Sequence, residues 1–250
     1  MARTERAPRG PLKGFRLSLR KLKSKNVFLA FVIDTLVILF SALLISFIIK
    51  SFLLRSFYIP SGSMFETLQI NDRIVVNELV PNVVPLNRGD VVVFKDPGGW
   101  LSFKPTKKPT TPVGQMSEWL LSVTGLSAPD NDQHLVKRVI GIGGDHVVCC
   151  DADNRITING KPIIEPYVAK GSEASRTPFD VKVPKGSFWV MGDNRGNSED
   201  SRYHPETPGK GFVAAKYVVG RAFIISWPFS HIKWLDNYAD VFKNVPAPKP

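Results

Sequence analysis

The sequence predicts a mainly β protein, with a single N-terminal transmembrane helix followed by an all-β, barrel-like domain. Three observations carry this. One apolar run of membrane length, 27–49, stands near the start and holds a single charge, Asp34. After it, apolar runs are short, rich in Val, Ile and Phe, and punctuated by Gly, Pro and Asn, which is the pattern of strands and turns. No long helical period competes with them, so the later chain reads as a barrel or sandwich.

Each element follows in order. Residues 1–25 hold nine Lys and Arg against one acid, Glu5, and so most of the net charge of +11. A basic arm of this kind suits nucleic acid elsewhere, but here it stops at a hydrophobic span and reads as an orientation signal, with no nucleic-acid partner. The 23 residues of 27–49 make about 34 Å of helix at about 1.5 Å per residue, enough to cross a bilayer. No small-x-small cleavage site follows, so the run reads as an uncleaved signal anchor. The tail over 1–26 then lies in the cytoplasm and the chain after the anchor on the outer face of a plasma membrane, in single-pass topology. Asp34, about two turns in, marks a helix partner or a functional site, or is a carboxyl that reaches the headgroups or is protonated, and it is assigned no role.

Residues 50–242 form the outer domain. Arg73–Asn77, Asp90–Phe94, Leu135–Ile140 and His146–Val148 read as strands, and Arg155–Lys161 alternates before turning at Asn159-Gly160, a hairpin signal. Phe179–Val183, Phe188–Met191 and Ala222–Trp227 complete the series. A proline-rich excursion over 95–131 interrupts it, with a short amphipathic helix over Met116–Val123 that either lies on the membrane or packs on the barrel. The tail over 243–250 reads as disordered. Adjacent Cys149 and Cys150 leave open two thiols, a vicinal bridge or an intermolecular link, and no matching Cys or His cluster offers them a metal.

The chemistry centres on Ile59-Pro60-Ser61-Gly62-Ser63-Met64. Pro60 and Gly62 fix a tight turn that exposes the Ser63 hydroxyl; the same four residues also suit a linker, and only the rest of the chain decides. A serine needs a base to attack. His134, His146, His204 and His231 are scattered, and none has a setting that suggests a triad. The other candidate is Lys137. Alternation along its strand puts Leu135, Lys137 and Val139 on one face and Arg138 on the other; if that face is the core, burial drives the amine pKa toward neutrality.

Together these residues resemble the bacterial type I signal peptidases, membrane-anchored serine proteases that remove signal peptides from exported proteins. The likeness runs through Pro60–Met64 with Thr67-Leu68, Arg88–Phe94, Val136–Gly141 with Gly144-Asp145, and Met191–Arg195 with Asn197-Ser198 and Asp200–Arg202. It implies Ser63 as nucleophile and Lys137 as general base, with no metal or cofactor. It also implies an oxyanion hole from the Ser63 N–H and the Ser61 hydroxyl, Ser198 bonded to the Lys137 amine, and ion pairs Asp193 to Arg138 and Asp200 to Arg202. Those pairs would hold the stretch from Met191 to Arg202 against the Lys137 strand. Substrate signal peptides add as a strand beside the segments before Ser63 and before Lys137, with pockets for Ala-x-Ala. The implied partners are preproteins, membrane lipid and, transiently, the export translocon. Three positions depart from the family pattern: Glu66 and Gly143 stand where proline is usual, and Gly196 where aspartate is common.

Overall fold

The computed structural model describes residues 27–101, 134–169 and 171–248. The expected basic tail over 1–26 and the expected helix over Met116–Val123 lie outside them. The chain divides into two units, Met1–Ser51 and Phe52–Pro250.

Among the described residues of the first unit one helix stands, Val27–Phe52, which runs 26 residues and so ends three beyond the expected run. Ile38, Phe40 and Leu43 are among its exposed apolar side chains. Its hydroxyls fold back on its own carbonyls, Thr35 Oγ1 donating to Phe31 O at 2.9 Å and Ser41 Oγ to Val37 O at 2.5 Å. Among the described residues no helix is long and apolar enough to cross a membrane. The expected span is therefore not established by the fold itself.

Among the described residues the second unit contains two antiparallel sheets. The larger contains β1 (Leu54–Tyr58), β2 (Arg73–Asn77), β3 (Val91–Lys95), β4 (His134–Ile142), β9 (Ser187–Met191), β10 (Val213–Ala214), β11 (Val218–Trp227) and β12 (Lys233–Trp234). Its path is β1-β2-β11-β3-β4-β9-β10, with β12 on β11. The smaller, ordered β7-β6-β5-β8, contains β5 (His146–Cys149), β6 (Ile156–Ile158), β7 (Lys161–Pro162) and β8 (Phe179–Lys182). The mainly β expectation holds, but the barrel does not close: among the described residues β1 and β10 end the path without pairing to each other. The turn after β4 diverts the chain into the second sheet instead. Gly141 lets this happen, since a Cβ there would stand 2.6 Å from Val147 Cγ2.

β4 is the strand on which the site depends. It pairs with β3 on one side, Val92 opposite Lys137, and with β9 on the other, Met191 opposite Arg138. Flanked by strands on both edges, it is buried on both faces from Lys137 to Gly141, so the face expected to carry Arg138 is core as well. Leu135 and Val139 pack into one apolar cluster, Val136 against a second and Ile140 into a third.

Two boundaries move. Lys95 still pairs with His134, and Trp100 is buried, stacked on His204 at 4.4 Å and edge-on to Phe94; the excursion therefore leaves the core later than 95, held by an aromatic anchor. The tail expected to be disordered from 243 packs: Val245 is buried with Phe242 in the cluster of Ile140, and Pro246 O accepts from Arg88 and Asn159. An apolar residue three positions after another, following one helical turn at Ala239–Phe242, is enough to dock a polar-looking segment. Cys149 and Cys150 are joined as a vicinal disulfide.

Candidate functional site

Tyr58, the last residue of β1, leads into the Ser63 turn. Ile59 keeps the register for one more step, its N–H donating to Asp72 O at 2.9 Å while its carbonyl accepts from Asn71 N at 2.9 Å. Pro60 then ends the pairing, and a turn follows in which Phe65 N donates to Gly62 O at 3.1 Å and Leu68 N to Met64 O at 2.8 Å. Met64 and Leu68 are buried, so the turn is pinned by its apolar residues while Ser61 stays exposed and Ser63 half-buried. Glu66 sits at φ 84°, a conformation closed to proline, whose ring fixes φ near −65°. The departure at this position is thus a change of backbone as well as of residue.

Lys137 reaches this turn from β4. Its Nζ lies 2.8 Å from Ser63 Oγ. The side chain is 4% exposed. Burial lowers its pKa to about 8; the charges of Asp200 and Asp193 pull the other way and do not recover the loss. A serine hydroxyl and an amine that releases its proton near neutrality therefore meet directly, as the sequence predicts. None of the four histidines bonds to Ser63: His146 pairs with Asp180, His231 with Asp72, and His204 Nδ1 contacts Asp200 O, while His134 lies against Phe57.

The remaining predicted residues separate. Arg138 and Asp193 form the expected pair, Nε to Oδ1 at 2.9 Å and Nη2 to Oδ2 at 2.7 Å, with both side chains fully buried. Arg138 Nη1 also donates to Gly89 O, and its guanidinium lies 4.2 Å over the Tyr167 ring. Burial pushes Arg138 down, but Asp193 outweighs it and raises its pKa. Asp200 and Arg202 also pair, at 2.8 Å for both contacts. This second pair does not cross to the Lys137 strand as expected. It braces its own loop, with Asp200 Oδ2 accepting from Gly192 N at 2.9 Å and from Ser198 Oγ at 2.7 Å. Burial raises the Asp200 pKa; Arg202, Gly192 and Ser198 together more than reverse that and hold it below the usual carboxylate value.

Ser198 consequently has a different partner from the expected Lys137 amine. Its one hydroxyl hydrogen goes to Asp200, because a carboxylate is the stronger acceptor. It still borders the site: a Cβ on Gly192 would collide with both Ser198 Oγ and the Ser63 carbonyl. Ser61 Oγ lies 3.5 Å from Ser63 Oγ, on the open side of the turn.

The sequence reading gave no role to several residues that hold these together. Thr67 Oγ1 donates to Asp193 Oδ2 at 2.5 Å and accepts from Arg138 Nη2 at 3.2 Å, tying the serine turn to the buried pair. Glu165 grips Arg195 through two contacts, 2.6 and 2.8 Å, and Arg195 Nε donates to Gly192 O. Asn194 bonds the turn itself, through Asn194 N to Ser63 O at 3.1 Å and Asn194 Nδ2 to Gly62 O at 2.9 Å. Their spacing carries no periodicity that marks them.

A cavity of about 260 Å³ opens beside Ser63. Phe57, Tyr58, Ile59 and Pro60 line one side, and His134, Leu135, Val136 and Lys137 the other. Two segments with a gap between them, ending at a serine and an amine, are the arrangement a peptidase would use, since a gap of this kind suits a peptide strand.

Residues 32–227 match the family described as signal peptidase, peptidase S26. The chain is 37% identical over 196 residues to a probable signal peptidase I of Mycobacterium leprae, across 68% of this chain and 67% of that protein. It is 37% identical over 190 residues to a signal peptidase I of Mycobacterium tuberculosis, across 68% and 64%, so it spans about two thirds of the length of these relatives. A crystal structure of a signal peptidase I from Enterococcus faecalis is 26% identical and covers 54% of this chain and 95% of its own, at a TM-score of 0.33, too low to bear on the fold. The chain belongs to the signal peptidase family, peptidase S26, as the sequence resemblance implies.

Proposed function

We propose that this protein is a membrane-anchored serine endopeptidase that removes signal peptides from exported preproteins after Ala-x-Ala sites, using Ser63 and Lys137. The observation that carries the reading is the 2.8 Å contact between Ser63 Oγ and a buried Lys137 amine at the end of the cavity.

In this mechanism the preprotein lies as a strand between the 57–60 and 134–137 segments. Neutral Lys137 takes the Ser63 proton as Oγ attacks the scissile carbonyl carbon, and the carbonyl oxygen becomes an oxyanion held by the Ser63 N–H and the Ser61 hydroxyl. The C–N bond breaks, and the leaving amine takes the proton from Lys137. Water then attacks the acyl-enzyme, giving its proton to Lys137, and the released serine regains it. Ser198 touches this chemistry only through Asp200, to which it donates and whose charge acts on Lys137.

The helix Val27–Phe52 serves as the anchor. Taken whole, its 26 residues make about 39 Å at about 1.5 Å per residue, and its back-bonded hydroxyls need no water. The basic 1–25 segment favours a cytoplasmic N-terminus, in the bacterial plasma membrane, with membrane lipid and the export translocon as neighbours.

The test is cleavage of a preprotein with an Ala-x-Ala site in liposomes, read by the mass of the mature product across pH. The intact protein should cut after the second Ala with an apparent pKa near 8, and Ser63→Ala protein should not. Cleavage by the Ser63→Ala protein would overturn the reading.

A further inference from the structure

Asn194 touches the serine turn twice, and the geometry of one peptide bond gives those contacts a meaning. Gly62 O accepts from Asn194 Nδ2 at 2.9 Å and from Phe65 N at 3.1 Å. Ser63 O, one peptide later, accepts from Asn194 N at 3.1 Å. In a trans peptide the C=O and N–H point in opposite directions. Holding the Gly62 carbonyl toward Asn194 therefore turns the Ser63 N–H, on the same peptide plane, away from Asn194. Among the described residues that N–H donates to no backbone or side-chain acceptor, and Ser63 lines the cavity. A free amide beside a nucleophile, fixed by two bonds on the far end of its own peptide, is a donor held ready for a developing negative charge.

We infer that Asn194 is a positioning residue that aims the Ser63 amide at the oxyanion of the tetrahedral intermediate. The inference rests on the reading of Ser63 as nucleophile. Asn194 never touches substrate; it acts through the Gly62–Ser63 peptide. Phe65 N keeps a partial hold when the side chain is removed, so the amide loosens without being lost. The expected penalty is about 10- to 100-fold, below the roughly 100- to 1,000-fold of deleting an oxyanion donor outright.

The experiment compares Asn194→Ala and the near-isosteric Asn194→Asp, whose carboxylate accepts and does not donate, in the full-length protein in liposomes. Three probes are used: a preprotein with an Ala-x-Ala site, a peptide ending in that sequence, and the same peptide as an aldehyde. The aldehyde adds Ser63 Oγ to its carbonyl carbon and places an oxyanion where the intermediate has one. Both variants should lose kcat by about 10- to 100-fold with KM nearly unchanged, and lose aldehyde affinity by the same factor. Affinity for the plain peptide and the apparent pKa of the rate profile should stay as in the intact protein. A kcat within threefold of the intact protein overturns the proposal. So does equal weakening of plain peptide and aldehyde, with or without a lower melting temperature, because that is the mark of a residue that only holds the turn together. Failure of the intact protein to cut would instead overturn the peptidase reading, so the two failures are distinct.

Discussion

Lys137 and Arg138 are neighbours on one strand, both cationic and both buried, at 4% and 0% exposure. Their fates are opposite. Arg138 meets a carboxylate in two-point geometry with two tyrosine rings beside it, and its charge is reinforced. Lys137 meets a neutral hydroxyl, and burial draws its pKa down to about 8. Burial alone does not make a cation reactive. What separates a structural cation from a base is whether the pocket supplies a counter-charge within bonding distance.

The largest test of this contrast removes the proposed base. Lys137→Ala should lower cleavage by about 10,000-fold, measured as single-turnover rate, and Lys137→Arg should be as poor, because a guanidinium keeps its proton and turns position 137 into a second Arg138. Next, Arg138→Met should cost about 3–5 kcal/mol of stability by urea denaturation, since it leaves the buried Asp193 carboxylate without its partner. A loss under 1 kcal/mol would mean that the pair is not the structural half of the contrast.

The pH dependence follows in size. The folded Lys137 pKa lies below its usual value of 10.5, so between about pH 8 and 10.5 the unfolded chain holds a proton that the folded one has released. Stability therefore rises with pH through that window, by about 3 kcal/mol relative to Lys137→Met protein, whose curve should lack this rise. Parallel curves for the two proteins would show that Lys137 titrates normally. The smallest effect is expected at Thr67→Val, which removes the hydroxyl shared by Arg138 and Asp193. It should cost about 1–2 kcal/mol in thermal unfolding and leave the apparent pKa of the rate profile in place.

The sequence carries the reactive half of this contrast more clearly than the structural half. A turn between Pro60 and Gly62 and a lysine alternating with Leu135 and Val139 are local patterns that offer Ser63 and Lys137 as candidates, and the family resemblance implies their roles. Alternation places Arg138 opposite Leu135 and Val139 but does not tell that its face is core too, because the apolar clusters on both faces of β4 belong to its neighbours and no period within β4 records them. The Asp193 to Arg138 pair follows from the family resemblance, whereas Ser198 goes to Asp200 because two hydrogen-bonding groups two residues apart find each other first. Thr67 and Asn194 stand within the stretches that carry the resemblance, but their bonds, like those of Glu165, cross long separations that no local pattern records. The open sheet and the docked Val245 are settled by packing, where strand length and a single apolar side chain outweigh composition.

Gly192 gives the site an evolutionary consequence. Its missing Cβ is the space taken by the Ser63 carbonyl and the Ser198 side chain. Every other amino acid reachable from a glycine codon by one base change brings a Cβ, so drift at position 192 has no gentle first step. A saturation scan read by cleavage should be flat at background here while staying graded at open glycines such as Gly62, which has nothing within 4 Å of a Cβ. A lineage under selection to alter this cleft would have to enter through the cavity walls and leave position 192 alone.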